Sequence, residues 1–231
     1  MLSLLYCLLF NLFIAILGSW DGSSPSSHLC LIGFIAVAIQ GLVFLHASGI
    51  LFGNEKTEKF FDLTGSLTYI TLIALSIYLH GGITSLSPRQ STLSLLVLIW
   101  AVRLGTFLFT RIQRHGGIDN RFTAIKPDFN RFCRAWGLQG VWVFLTAFPI
   151  FLLNDQINDS QVLTTRDFFG LSIWVIGFLF ECLADYQKSV WKKKNTFINK
   201  GLWAISRHPN CKKTSSSFFL LLISILFCRF W

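Results

Sequence analysis

Six stretches of the chain are almost free of charge, and each is long enough for a helix of several turns. They are Leu2–Leu17, Leu29–Phe52, Leu63–Leu79, Thr92–Phe109, Leu138–Leu153 and Phe168–Leu183. A helix rises 1.5 Å per residue, so crossing about 30 Å of hydrocarbon takes about 20 residues. The second and fourth runs approach or exceed that length. The first, fifth and sixth must borrow flanking residues to reach it. The apolar positions predict an all-α, polytopic transmembrane bundle of about six membrane helices.

Composition points the same way. Of 231 residues, 53% are hydrophobic and only 13% are charged, with a mean hydropathy of +0.58. A water-soluble domain carries roughly 25% charged residues to cover its surface. The first run lacks a basic segment before it and an Ala-x-Ala cleavage site after it, so it reads as a retained helix rather than a signal peptide.

The net charge of +9 suggests nucleic acid until the charges are placed. One basic segment, Arg111–Arg134, holds Arg111, Arg114, Arg121, Lys126, Arg131 and Arg134 against Asp119 and Asp128. A second, Lys188–Lys213, holds Lys188, Lys192, Lys193, Lys194, Lys200, Arg207, Lys212 and Lys213 with no acid. Between them Asn154–Asp167 is acidic. Six helices put both basic segments on one side, which the positive-inside rule makes cytoplasmic together with both termini. The expected partner is the lipid bilayer, with no nucleic acid. Trp20, Trp136, Trp191 and Trp203 fall near the expected interfaces, as in an aromatic belt. The six cysteines show no CxxC and no metal spacing, and read as small apolar residues or free thiols.

Ionisable groups within apolar runs are costly and therefore informative. Arg103 lies in the middle of the fourth run and must face the bundle or a wet cavity, or snorkel to the basic side. Glu181, Asp185 and Lys188 are spaced to share one helix face. The carboxylates suit ribose or carboxamide donors and Lys188 suits a phosphate; an internal Asp185–Lys188 pair is the plainer reading. Further on, Ser206-Arg207-His208-Pro209-Asn210 projects three polar side chains from a backbone that proline keeps extended. Arg207 suits a phosphate, Asn210 an amide, and His208 a proton transfer. His80-Gly81-Gly82 and His115-Gly116-Gly117 mark turns, the second also offering a backbone anion nest.

In order and spacing, the motifs around Leu67-Thr-Tyr69-Ile, Trp100-Ala-Val-Arg103-Leu-Gly105, Asp119-Asn-Arg121-Phe122, Trp136, Gln139, Glu181-Cys-Leu-Ala-Asp185-Tyr186-Gln187-Lys188 and Trp203 to Asn210 resemble the DUF1295 family. That family belongs with the steroid 5-alpha-reductase C-terminal-domain proteins. With the N-terminal membrane helices read from hydropathy over residues 1–62, the resemblance implies an incomplete reductase-like membrane domain over 63–210, followed by an atypical short hydrophobic tail over 211–231. It further implies a helical membrane enzyme of the endoplasmic reticulum that reduces a carbon–carbon double bond of a lipidic small-molecule partner with NADPH. Arg103, Asp185 and Asn210 match cofactor-contacting positions, with Arg111, Arg114, Lys188 and Arg207 as phosphate partners. Tyr186 and His208 are both candidate proton donors.

After Asn210 the sequence departs from the family pattern. It reads Cys211-Lys-Lys-Thr-Ser-Ser-Ser and then Phe218–Trp231, which as a helix is about 21 Å long and too short to cross unaided. A truncated, inactive reductase is therefore expected as one outcome. Two other readings stay open: an isoprenylcysteine-type methyltransferase using S-adenosylmethionine, which shares the Arg-His-Pro signature, and a non-catalytic membrane protein.

Overall fold

The computed structural model describes residues 2–19, 26–53, 55–114, 116–156, 162–191 and 201–205. Its helices are α1 (Leu2–Ser19), α2 (Ser27–Ala47), α3 (Phe61–Leu79), α4 (Pro88–Arg114), α5 (Phe129–Asn154), α6 (Thr165–Trp191) and the single turn α7 (Leu202–Ile205). Short 3-10 turns lie at Ile83–Ser85 and Asn120–Phe122, and no strand occurs among the described residues. Helices α2 to α6 are each long and apolar enough to cross a membrane, while the apolar stretch of α1, Leu2–Leu17, is shorter. The protein is a multi-pass integral membrane protein built as a helical bundle.

Local chemistry sets where the helices begin and end. Helix α4 starts four residues before its apolar run because Ser87-Pro-Arg-Gln90 forms a reciprocal cap. The Ser87 hydroxyl accepts from the Gln90 N–H at 3.2 Å, and the Gln90 side chain accepts from the Ser87 N–H at 2.8 Å. Pro88 takes the first helical position, where its missing N–H costs nothing. Helix α5 opens on the Asp128 carboxylate, which accepts from the N–H groups of Asn130 at 2.8 Å and Arg131 at 3.1 Å. It thereby borrows the polar turn before its apolar run.

Helix α2 stops at Ala47 rather than at Phe52, because Gly49 turns into the left-handed region at φ 79°. The two double-glycine sites both end helices. Gly117 donates to the Ile112 carbonyl at 3.0 Å and Gly116 to that of Gln113 at 3.1 Å, and Gly82 and Gly81 do the same for α3. The N–H groups of Gly116 and Gly117 are thus spent on the end of α4, which removes the anion-nest reading of that turn.

The chain divides into two compact units, residues 1–161 and 162–231. In the first, α5 packs on α1, α2 and α3, and α3 also packs on α2 and α4. Glycines of α5 sit at its crossings with α2 and α1. A Cβ on Gly140 would lie 2.9 Å from the Ala36 carbonyl oxygen of α2. One on Gly137 would lie 3.0 Å from the Cys7 sulfur of α1. In a membrane, where lipid removes the hydrophobic drive between helices, such close backbone approach is a main source of packing energy. Buried amides add cross-helix bonds. Asn11 donates to the Gly33 carbonyl at 3.2 Å, Gln40 to the Thr68 hydroxyl at 2.9 Å, and Asn154 to the hydroxyls of Ser76 at 2.9 Å and Ser94 at 3.2 Å. Helix α1 is therefore bonded into the bundle.

Trp136 is a correction to the aromatic-belt expectation. It is fully buried, with its ring 5.1 Å from that of Phe61 and 6.2 Å from that of Phe132. Phe44, Phe122 and Phe129 complete this aromatic core at the basic end of the unit. Cys7 and Cys133 are buried, as small apolar residues are.

Candidate functional site

Along α3, Asp62, Gly65, Ser66 and Tyr69 recur at intervals of three and four residues inside an otherwise apolar run. That spacing puts them on one face. The face looks into a cleft of about 480 Å³ between α4 and α5. Helix α4 contributes Trp100, Leu104 and Leu108 to its wall, and α5 contributes Leu138, Gln139 and Trp142. Leu138 and Trp142 are exposed, so the cleft has an apolar rim. Its volume falls within the roughly 300–1,000 Å³ of small-molecule sites.

At the basic end the cleft is rimmed by ions. Arg121 enters from the loop between α4 and α5 and donates to Asp62 at 2.6 Å and, bidentately, to Asp119. Arg111 reaches Asp62 at 3.4 Å. Behind them Glu58, itself buried, accepts from Lys126 at 2.8 Å and from the Asp119 N–H at 3.2 Å. Lys56 holds the same loop through the carbonyls of Lys126 at 3.3 Å and Pro127 at 3.2 Å. Burial alone would push the Asp119 carboxyl up, but hydrogen bonds from the Arg121 side chain and backbone, and the charges of Arg121 and Arg111, hold it below the usual range. The bond to Asp119 likewise raises the Arg121 guanidinium.

Inside, the Tyr69 ring meets Trp100 edge-on at 5.2 Å, and its hydroxyl is bonded to that of Thr146. Gln139 donates to the Phe61 carbonyl at 3.0 Å. It fits there because residue 65 is glycine: a Cβ would lie 2.3 Å from the Gln139 amide nitrogen. The Gln139 carbonyl oxygen is buried with no hydrogen-bond partner among the described residues.

The residues singled out from sequence fall as follows. Arg103 is half-buried, with its guanidinium 5.4 Å from the centre of the Phe107 ring, one turn nearer the basic end. It lies on the α4 stripe next to the one that walls the cleft. Arg111 joins the rim through Asp62, and Arg114 is exposed at the end of α4. In the second unit, Glu181 and Asp185 are both buried on one stripe of α6 with Trp174, Gly177 and Ala184. Lys188 is exposed and sits 5.1 Å from the centre of the Trp203 ring. The Trp203 indole donates to the Ala184 carbonyl at 3.1 Å, and the Leu202 N–H donates to the Gln187 side chain at 3.1 Å, so α7 is fastened to the end of α6. Tyr186 is 67% exposed and lies off the buried stripe. Arg207, His208 and Asn210 lie outside the described residues.

Asp62, Tyr69, Arg121 and Gln139 build the cleft and were not candidates from sequence. The signal for the α3 members was present as polar residues at helical spacing inside an apolar run. The loop and α5 members gave no such signal, because their partners lie far away in sequence.

The model of a family described as protein of unknown function (DUF1295) matches residues 50–223. No curated protein and no solved structure matches the chain. The match starts ahead of α3, so it takes in the cleft, its ionic rim and both α6 carboxylates, and it continues past Asn210.

Proposed function

The chain belongs to the DUF1295 family, and from that premise we propose that it is a membrane oxidoreductase that uses NADPH to reduce a carbon–carbon double bond of a steroid-like or fatty lipid. The observation that supports this reading best is the cleft: aromatic and aliphatic walls, an apolar rim, and an ionic rim at one end only. Such a shape suits a lipid body that enters from the bilayer and meets a polar reagent at the basic end. On the positive-inside rule that end faces the cytoplasm.

By resemblance, Arg103, Asp185 and Asn210 would contact the cofactor, and Arg111, Arg114, Lys188 and Arg207 would meet its phosphates. The bound cofactor supplies the hydride. The chain's own part is to orient the lipid, to exclude water with the Trp100 and Leu104 wall, and to deliver a proton, for which Tyr186 and His208 are the candidates.

The test uses the purified full chain in lipid nanodiscs. NADPH should raise its unfolding temperature while S-adenosylmethionine does not, because a ligand stabilises the native state it binds. A panel of lipid enones should then include one whose addition consumes NADPH. Stabilisation by S-adenosylmethionine alone would assign a methyltransferase instead. No response to either ligand, with no turnover, would leave the non-catalytic reading.

A further inference from the structure

The Trp142 carbonyl favours one direction for the hydroxyl pair inside the cleft. Thr146 carries one hydroxyl proton, and that oxygen lies 2.7 Å from the Trp142 carbonyl, one turn back on its own helix. Threonine in a helix commonly donates to that carbonyl. With its proton committed there, the Thr146 oxygen can only accept from Tyr69. The Tyr69 proton is then spent as well, and what its oxygen has left is acceptor capacity. Gln139 gives one of its two amide N–H groups to the Phe61 carbonyl, and its buried carbonyl oxygen is a second unpartnered acceptor in the cleft. Ser66, the remaining hydroxyl on this face, lies against α4, 2.6 Å from where a Cβ on Gly105 would stand.

Charge narrows the ligand further. Beside the cleft, three acids, Glu58, Asp62 and Asp119, and three bases, Arg111, Arg121 and Lys126, are bonded to one another. An anionic headgroup would have to break those pairs to be held. A cationic one would meet the guanidinium of Arg121 in the wall.

We infer that the cleft binds an uncharged lipid through a free hydroxyl, which donates to the Tyr69 oxygen, and that Thr146 is the positioning residue that makes Tyr69 an acceptor. This rests on reading the cleft as the lipid site of the proposed reductase. It adds that the lipid bears an alcohol apart from its reacting double bond.

The experiment is competition for radiolabelled cholestanol bound to the purified full chain in detergent, with no NADPH present. Unlabelled cholestanol should compete about tenfold better than cholestanone, the worth of one hydrogen bond to a buried group. Cholestanyl sulfate should also compete poorly. Octadecanol is included to separate the hydroxyl from the sterol body: competition assigns the hydroxyl alone, and failure assigns the hydroxyl on a ring system, both within the inference. Thr146→Val frees the Tyr69 proton and should erase the preference for alcohol over ketone, while Thr146→Ser should keep it. No specific binding of cholestanol, equal or better competition by cholestanone, or an unchanged preference in Thr146→Val would each overturn the inference. Saturated sterols are not reducible at a carbon–carbon bond, so the outcome is independent of the reductase reading. Alcohol-selective binding without NADPH turnover would sink only the latter. Turnover of an enone by a cleft that prefers ketones would sink only the former.

Discussion

Replacing Gly140 by alanine adds one methyl group at the crossing of α2 and α5. Its Cβ would lie 2.9 Å from the Ala36 carbonyl oxygen, 3.2 Å from that residue's carbonyl carbon and 3.2 Å from Gln40 Cγ. The first two contacts are backbone and cannot rotate away, so the helices must separate by a few tenths of an ångström along a dry seam. Overpacking of this kind costs about 1–3 kcal/mol. Alanine returns about 1 kcal/mol through its better helix propensity. The net loss is up to about 2 kcal/mol, which for a chain of this size lowers the unfolding temperature by up to about 8 °C. Gly41 is the matched control on α2, because a Cβ there meets only Leu4 Cδ1 at 3.7 Å, an ordinary contact. Gly41→Ala should therefore hold or raise the unfolding temperature. Thermal unfolding of both variants in the same detergent decides the matter. A Gly140→Ala chain as stable as Gly41→Ala would show that α2 and α5 do not cross at this distance.

Three other perturbations probe the ionic rim and the opposite end of the first unit. Asp119 titrates below the usual carboxylate range in the fold, so its contribution is present above about pH 4 and is lost as pH falls through the folded value. The unfolding temperature of the wild-type chain should bend downward in acid, and Asp119→Asn should start lower at neutral pH with a shallower acid limb. Lys126→Met leaves the buried Glu58 carboxylate without its cation and should cost about 2 kcal/mol, recovered largely by Lys126→Arg; chemical unfolding reads both. Asn154→Ala removes the bonds to Ser76 and Ser94 and should cost about 1 kcal/mol, at roughly 0.6 kcal/mol for each bond inside a membrane protein.

The helices were legible because length and apolarity are local properties. Every run read from sequence became a helix, and the misplaced ends have local causes: the Ser87–Gln90 cap that starts α4 early and the Gly49 turn that stops α2 before Phe52. The cleft was less legible because its rim is made of pairs distant in sequence, such as Glu58 with Lys126 and Asp62 with Arg121. Read linearly, those arginines and lysines count toward a basic segment; folded, they neutralise acids that belong to the start of α3. Trp136 misled for the same reason: its position near a helix end is local, while its burial depends on Phe44 and Phe61 from two other helices.

The pairing at the rim also changes the ranking of cations for an anionic cofactor. Arg111 and Arg121 already face Asp62 and Asp119, and a phosphate placed on either must outcompete a carboxylate held by hydrogen bonds. Arg114 is exposed at the end of α4, and Lys188 has the Trp203 ring beside it. A phosphate that displaces only water or an aromatic contact binds at lower cost than one that breaks a buried ion pair. If the chain binds NADPH as proposed, substituting Arg114 or Lys188 should therefore weaken that binding more than substituting Arg111, while Arg111 variants should show their effect first in stability. Equilibrium NADPH titration of the three alanine variants, each with its unfolding temperature measured alongside, separates the two effects. An Arg111→Ala chain of unchanged stability that loses NADPH affinity outright would reverse the ranking and make the rim itself the phosphate site.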